Sequence, residues 1–416
     1  MKVLILCDLF PPAFGPRMGY LCKYMMQTGW EPVVVTEKTG DDGFGFLSEL
    51  VPDVKRVSYY QFNNKVLRKA EWFLVMLLDL CFHYKNRKMV SVAEKELKKG
   101  SFGAVLCSTY RTFPLSVAAE VSQKYDLPFV ADLRDIIEQF AGNEYISHPI
   151  HIIPCFDKLI ISCIRKHLLK ERNKVLRQAT YVSTVSPWHV EILKKYNPHI
   201  DLIYNGFDSE LFFPAHHPTK QFILSYTGRL VSLETRDPKL LFEALQKLDN
   251  EKLISPESVR VEWYTDSFSE KTIKEETHKY GLEKYMDYKG YIKADEVPSV
   301  LNNSSILLQL ANKADEHGPK GIMSTKIFEA MAVEKPLLCV RSDESFLEQL
   351  ISKTRTGSSA RTAEQAYDFI LNQLNIWKKE GFTSNINQDK TLVSCFSRKS
   401  QAIQFMQLLT EISKSK

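Results

Sequence analysis

The chain has 416 residues, 44% hydrophobic and 25% charged, an ordinary globular balance that excludes a disordered chain, a collagen-like fibre or a long coiled coil. Fifty-five Lys and Arg against 50 Asp and Glu leave a net charge of only +5, too small a surplus to define a nucleic-acid binder. At roughly 150 residues per domain, the length predicts two or three domains.

Eight cysteines, at 7, 22, 81, 107, 155, 163, 339 and 395, form no C-x-x-C pair, and are expected to be reduced, buried small hydrophobes. The apolar run Lys2–Cys7 stops at Asp8, too short for a signal peptide. The stretch Trp72–Phe82 carries Asp79 and falls well short of the ~20 residues that span a bilayer. A cytoplasmic location is expected.

Short β-rich runs alternate with helical patterns, which predicts parallel sheets covered on both faces. Lys2–Cys7 reads as a strand buried on both sides, Leu21–Gly29 as a helix and Pro32–Thr36 as the next strand. Strands follow at Ala104–Cys107, Pro128–Ala131, Tyr181–Val185 and Leu202–Tyr204, with a helix at Pro114–Tyr125. The alternation restarts near Gln221 with strands at Phe222–Tyr226, Val259–Tyr264, Met286–Lys289, Ile306–Leu310 and Leu337–Val340. Helices are predicted between them at Lys239–Leu248, Lys271–Tyr280, Val297–Asn302 and Thr325–Ala332, and an amphipathic helix at Ser400–Ile412. The pattern implies two doubly wound α/β domains joined near residues 206–220, with ligands at the carboxyl ends of the strands, in a cleft between them.

Four segments carry candidate chemistry. Gly15 lies in a turn between the first strand and helix, where backbone can approach an anion; no G-x-G-x-x-G or P-loop motif occurs. Asp132, Arg134 and Asp135 follow an apolar strand, a placement that suits polar substrates. Arg229 and Arg236 follow the first strand of the second domain, where guanidinium groups can fork onto phosphate oxygens. Ser324 or Thr325 can cap a helix presenting backbone N–H groups and Lys326, with Glu329 almost one turn on. A cation at a helix N-terminus opposes the macrodipole and wants an anion, while a carboxylate one turn deeper can accept sugar hydroxyls. The combination fits a nucleotide diphosphate and its ribose.

The stretches FPPAFG, PFVADLRD, STVSPWHVEILKKY with IYNGFDSELF, YTGR with RDPKLLFEAL, and STKIFEAMAVEKPLL occur in this order over most of the chain. Together they resemble retaining glycosyltransferases of the GT-B fold, in particular family 4. The resemblance implies two Rossmann-like domains facing across a cleft: residues 1–205 on the acceptor side, 206–395 binding a nucleotide-sugar, and 396–416 forming a helix that packs back on the first. It implies a hexosyltransferase moving sugar with retention from a nucleotide-diphosphate sugar, in the first instance a UDP-sugar, to a glycan or lipid-linked acceptor in cell-surface polysaccharide synthesis. Gly15 would lie near the donor diphosphate, Arg229 and Arg236 on the pyrophosphate, and Glu329 on the ribose. Ser324, Thr325 and Lys326 would lie beside the donor, and Asp135 would take a polar role near the acceptor. No metal and no cofactor beyond the nucleotide-sugar co-substrate is expected. Two departures stand out: Pro16 offers no N–H where the family often has Gly, and Gly321 replaces the first Glu of its E-x7-E motif. A UDP-sugar 2-epimerase of the same fold and a catalytically degenerate glycan-assembly subunit are the alternatives.

Two stretches, Lys65–Lys88 and Leu159–Arg177, mix apolar and basic residues as helices on an anionic membrane surface do; such a surface on the inner face is an expected partner. Ten histidines, including His148, His151, His216 and His217, show no metal-ligand spacing.

Overall fold

A computed structural model describes residues 1–40, 43–48, 53–140, 154–314, 319–321 and 323–414, so His148 and His151 lie outside the described residues. The chain forms two compact units, Met1–Tyr204 with Gln401–Lys416, and Asn205–Ser400.

The first unit contains β1 (Lys2–Cys7), β2 (Glu31–Glu37), β3 (Val54–Val57), β4 (Ala104–Thr109), β5 (Phe129–Leu133), β6 (Tyr181–Thr184) and β7 (Ile200–Leu202). They form one sheet in the order β3-β2-β1-β4-β5-β6-β7, every neighbouring pair parallel. Central β1 is apolar on both faces because helices cover both. Its principal helices are α1 (Pro16–Gln27), α2 (Lys65–Phe82), α3 (Tyr84–Leu97), α4 (Leu115–Tyr125) and α5 (Pro154–Gln178).

The second unit holds β8 (Phe222–Thr227), β9 (Val259–Tyr264), β10 (Met286–Tyr288), β11 (Ile306–Leu310), β12 (Leu337–Val340) and β13 (Gly357–Ala360), parallel in the order β10-β9-β8-β11-β12-β13. Its helices include α6 (Lys239–Asn250), α7 (Ser267–His278), α8 (Thr325–Ala332) and α9 (Ala363–Glu380). The last helix, α10 (Arg398–Lys414), returns to the first unit: Ala402, Phe405, Leu408, Leu409 and Ile412 share a core with Val3, Ile5, Met18 and Leu106.

Several elements differ from the sequence reading. Helix α1 starts at Pro16 rather than Leu21, because proline is preorganised for a first helical position. Strand β7 stops at Leu202, since the Tyr204 carbonyl accepts instead from Arg17 Nη1 (2.9 Å) and the Gln401 side chain. Residues 65–88 are two helices, broken at His83 in the left-handed region (φ 51°). Of the seven cysteines whose side chains are described, Cys7, Cys22, Cys107 and Cys339 are buried as expected, while Cys81, Cys163 and Cys395 are exposed. Among the described residues no helix is long and apolar enough to cross a membrane.

Candidate functional site

In the second unit, Gly228 follows β8 directly, and its backbone N–H reaches the Tyr264 carbonyl (2.8 Å). Its φ of +148° favours glycine, and a side chain there would overlap the Lys326 ammonium. Lys326 therefore lies against the loop backbone at the amino end of α8. Gly228→Ala is expected to cost about 1–3 kcal/mol from backbone strain while displacing that ammonium. A urea titration checks the first effect and nucleotide calorimetry the second; an unchanged midpoint with unchanged affinity would refute both.

The loop after Gly228 is pinned from three directions. The carbonyl of Arg229 accepts from the Tyr226 hydroxyl (2.8 Å) and from Arg236 Nη1. Beyond β11, Asn312 donates to the carbonyls of Leu233 (2.9 Å) and Glu234 (2.6 Å) and accepts from Asp237 N (3.1 Å). Arg229 is exposed and pairs with Asp266 (3.4 Å), so solvent screens it; Arg236 is partly buried.

Helix α8 begins at Thr325 with Ser324 at the capping position, but the Ser324 hydroxyl makes no cap. It is buried without a hydrogen-bond partner, which corrects the expected capping role and leaves a donor at the helix N-terminus. Lys326 and Glu329 are both partly buried, and neither makes a hydrogen bond or ion pair among the described residues. Burial pushes the Lys326 ammonium down to about 8, with Arg236 and Arg229 adding repulsion against the attraction of Glu329. Burial raises the Glu329 carboxyl, opposed by Arg398 and Lys326. Thus Arg229, Arg236, Lys326 and Glu329 converge electrostatically. A dianion would relieve the crowded cations, and Glu329 retains acceptor capacity for hydroxyls.

In the first unit, Gly15 caps α1 and abuts Leu9 O and Phe10 Cα, so the turn itself demands a residue without a side chain. The charges after β5 have divergent fates. Asp132 is fully buried in a bidentate pair with Arg17 (3.1 and 3.0 Å) and accepts from Ser108 (2.7 Å) and Ser183 (2.9 Å). Arg134 pairs with Asp8 (2.6 Å). Asp135 accepts from Gln139 Nε2 (2.6 Å), and burial raises its carboxyl. Gln139 Oε1 meets His189 Nε2 (2.9 Å), while His189 Nδ1 meets the Thr184 hydroxyl (3.0 Å). Burial drives His189 down to about 3, so it stays neutral and Nε2 donates to Gln139. Sequence reasoning passed over Arg17, His189, Asn312 and Arg398. Each acts through a partner remote in the chain, and only the Asn and Arg residue types could have hinted at it.

Both units are doubly wound parallel α/β sheets, and in the second the amino end of α8, between β11 and β12, meets a cluster of cations. Residues 208–390 match the family model described as glycosyl transferases group 1. No curated protein matches the chain in sequence. Among solved structures, HepE of Anabaena in complex with UDP-glucose has a TM-score of 0.64 at 15% identity, covering 99% of this chain and 100% of that one. Sucrose-phosphate synthase of Thermosynechococcus elongatus scores 0.66 at 15% identity, covering 100% of both. UDP-GlcNAc 2-epimerase of Methanocaldococcus jannaschii scores 0.55 at 12%, covering 99% of this chain and 100% of that one. The chain therefore adopts the GT-B fold.

Proposed function

We propose that the protein is a glycosyltransferase that moves a hexosyl group from a nucleotide-diphosphate sugar, in the first instance a UDP-sugar, to a glycan or lipid-linked saccharide of a cell-surface polysaccharide. The observation that carries this reading is the unpaired couple Lys326 and Glu329 on the first turns of α8, beside Gly228, Arg229 and Arg236. The group 1 match over the same unit supports it, as does HepE, a GT-B protein captured with UDP-glucose. In the reaction the bond from the anomeric carbon to the diphosphate breaks, and its electron pair leaves with the diphosphate. Arg229, Arg236, Lys326 and the α8 N-terminus, with Ser324 and Thr325, stabilise that charge. Glu329 holds the ribose hydroxyls. An acceptor hydroxyl bonds to the same face of the anomeric carbon, which gives retention, and passes its proton to the departing diphosphate oxygen. The first unit is assigned the acceptor, with Asp135, its carboxyl raised by burial, as a polar contact. Sugar transfer on this scheme uses no metal.

Calorimetric titration with UDP, GDP and ADP, then UDP-sugars, tests the reading. Selective binding of one nucleotide supports it, and no binding of any defeats it. A bound diphosphate restores the Lys326 proton, so affinity is expected to fall above pH about 8, by up to about tenfold per pH unit, with proton uptake on binding. Titrations in buffers of different ionisation enthalpy measure that uptake; an affinity flat across this range would sink the assignment of Lys326.

One feature favours a second reading, a degenerate assembly subunit. Gly321 has φ +59°, and the Phe346 Cβ occupies the space where its side chain would begin, so the family's first carboxylate has no room. Such a subunit would bind nucleotide without consuming any sugar donor. An epimerase would instead isomerise UDP-sugar with no acceptor present.

A further inference from the structure

Helix α2 turns its apolar side outward. Val75 is buried against the first unit, yet Val66, Leu67, Ala70, Phe73, Leu74 and Leu77 are all exposed. At 100° per residue these six fill an unbroken arc of roughly 120°. Val66 is 77% exposed and Leu74 56%, on the face where an ordinary surface helix carries charge.

The charges nearby are of one sign. The two acids of α2 are turned to backbone amides: Glu71 accepts from Gln61 N (2.7 Å) and Phe62 N (3.1 Å), and Asp79 from Lys85 N (2.9 Å). Lys69 flanks the arc, and Arg87 and Lys88 follow on α3; all three are exposed. The start of α3 is tied to α5, since Lys85 Nζ lies 4.5 Å from the Phe113 ring centre and the Thr112 hydroxyl reaches Leu168 O (3.1 Å). Helix α5 exposes Lys158, Lys166 and Lys170.

We infer that α2 docks the protein on an anionic lipid surface, lying in the plane of the interface with its apolar arc among the acyl chains and these cations at headgroup level. The arc from Val66 to Leu77 rises roughly 17 Å along the helix axis, too short to span a bilayer. A second copy is the poorer occupant, because a two-fold contact would set each basic flank against its own image. The inference stands independently of sugar transfer, although a lipid-linked acceptor would be reached from such a surface.

The test is co-sedimentation of the full chain, without nucleotide, with vesicles of phosphatidylcholine alone or mixed with phosphatidylglycerol. The protein is expected to pellet with the mixed vesicles, to stay in solution with phosphatidylcholine alone, and to be released by salt. The double variant Phe73→Ser/Leu77→Ser should bind roughly tenfold or more weakly with an unaltered melting curve, since both side chains already face solvent. Lys158→Glu/Lys166→Glu/Lys170→Glu, which keeps the arc intact, should lose the preference for anionic lipid. Wild-type protein left in solution by mixed vesicles would overturn the inference, as would wild-type binding by both variants. A concentration-dependent dimer abolished by the serine pair, without vesicle binding, would overturn it by assigning the face to a second copy. UDP titration of the same samples reads the sugar site separately.

Discussion

Glu329→Ala is expected to weaken UDP or UDP-sugar binding by roughly 100-fold, the loss of about 3 kcal/mol for a carboxylate accepting two hydroxyl hydrogen bonds. The same change should leave the fold as stable as before or slightly more so. Burial raises the Glu329 carboxyl above its unfolded value, so the folded state binds its proton more tightly. Its ionised form therefore opposes folding at neutral pH, and that opposition disappears as the pH falls below the unfolded value. Calorimetry paired with a thermal melt measures both sides. Unaltered affinity would remove Glu329 from the site, and a large drop in melting temperature would make it a structural residue.

Asp132→Ala should cost about 3–5 kcal/mol of stability, the typical penalty for orphaning one partner of a buried ion pair. Arg17 would keep its contacts to the carbonyls of Ile203 (2.8 Å) and Tyr204 (2.9 Å) but lose its counter-ion, and the hydroxyls of Ser108 and Ser183 would lose an acceptor. The apolar pair Arg17→Met/Asp132→Leu should recover a large part of the loss, because it buries no charge. Urea unfolding of the three variants compares them; a cost below about 1 kcal/mol for the single change would mean that water or a neighbour replaces the carboxylate.

The strands buried on two faces were legible in the sequence: β1, β8, β11 and β12 are short apolar runs that little else explains. Strand β13, Gly-Ser-Ser-Ala, has no such signal and is a strand because β12 offers it a parallel edge. Helix α9 carries local signals of its own, Thr362 capping Gln365 N and Gly381 closing the end in the left-handed region. The site divides along the same line. Lys326 and Glu329 share one helix, so their spacing places them together. Asn312 clamps a loop some 75 residues earlier and Arg17 meets Asp132 across 115, and local pattern carries neither. Asp132 and Asp135, three residues apart, look alike in sequence. The strand ends between them, leaving the first locked in the core and the second bonded to a glutamine.

The return of α10 has a consequence for biosynthesis. Phe405 and Leu409 fill a core whose other side, β1, precedes them by most of the fold, so during synthesis that core stays open until α10 has been made. The unit from Asn205 to Ser400 is contiguous in the chain and is complete before Phe405 and Leu409 are made. Order of translation and order of completion are thus reversed. Meanwhile the faces of β1 and β4 that await Phe405 and Leu409 are where a nascent chain would need a chaperone's cover.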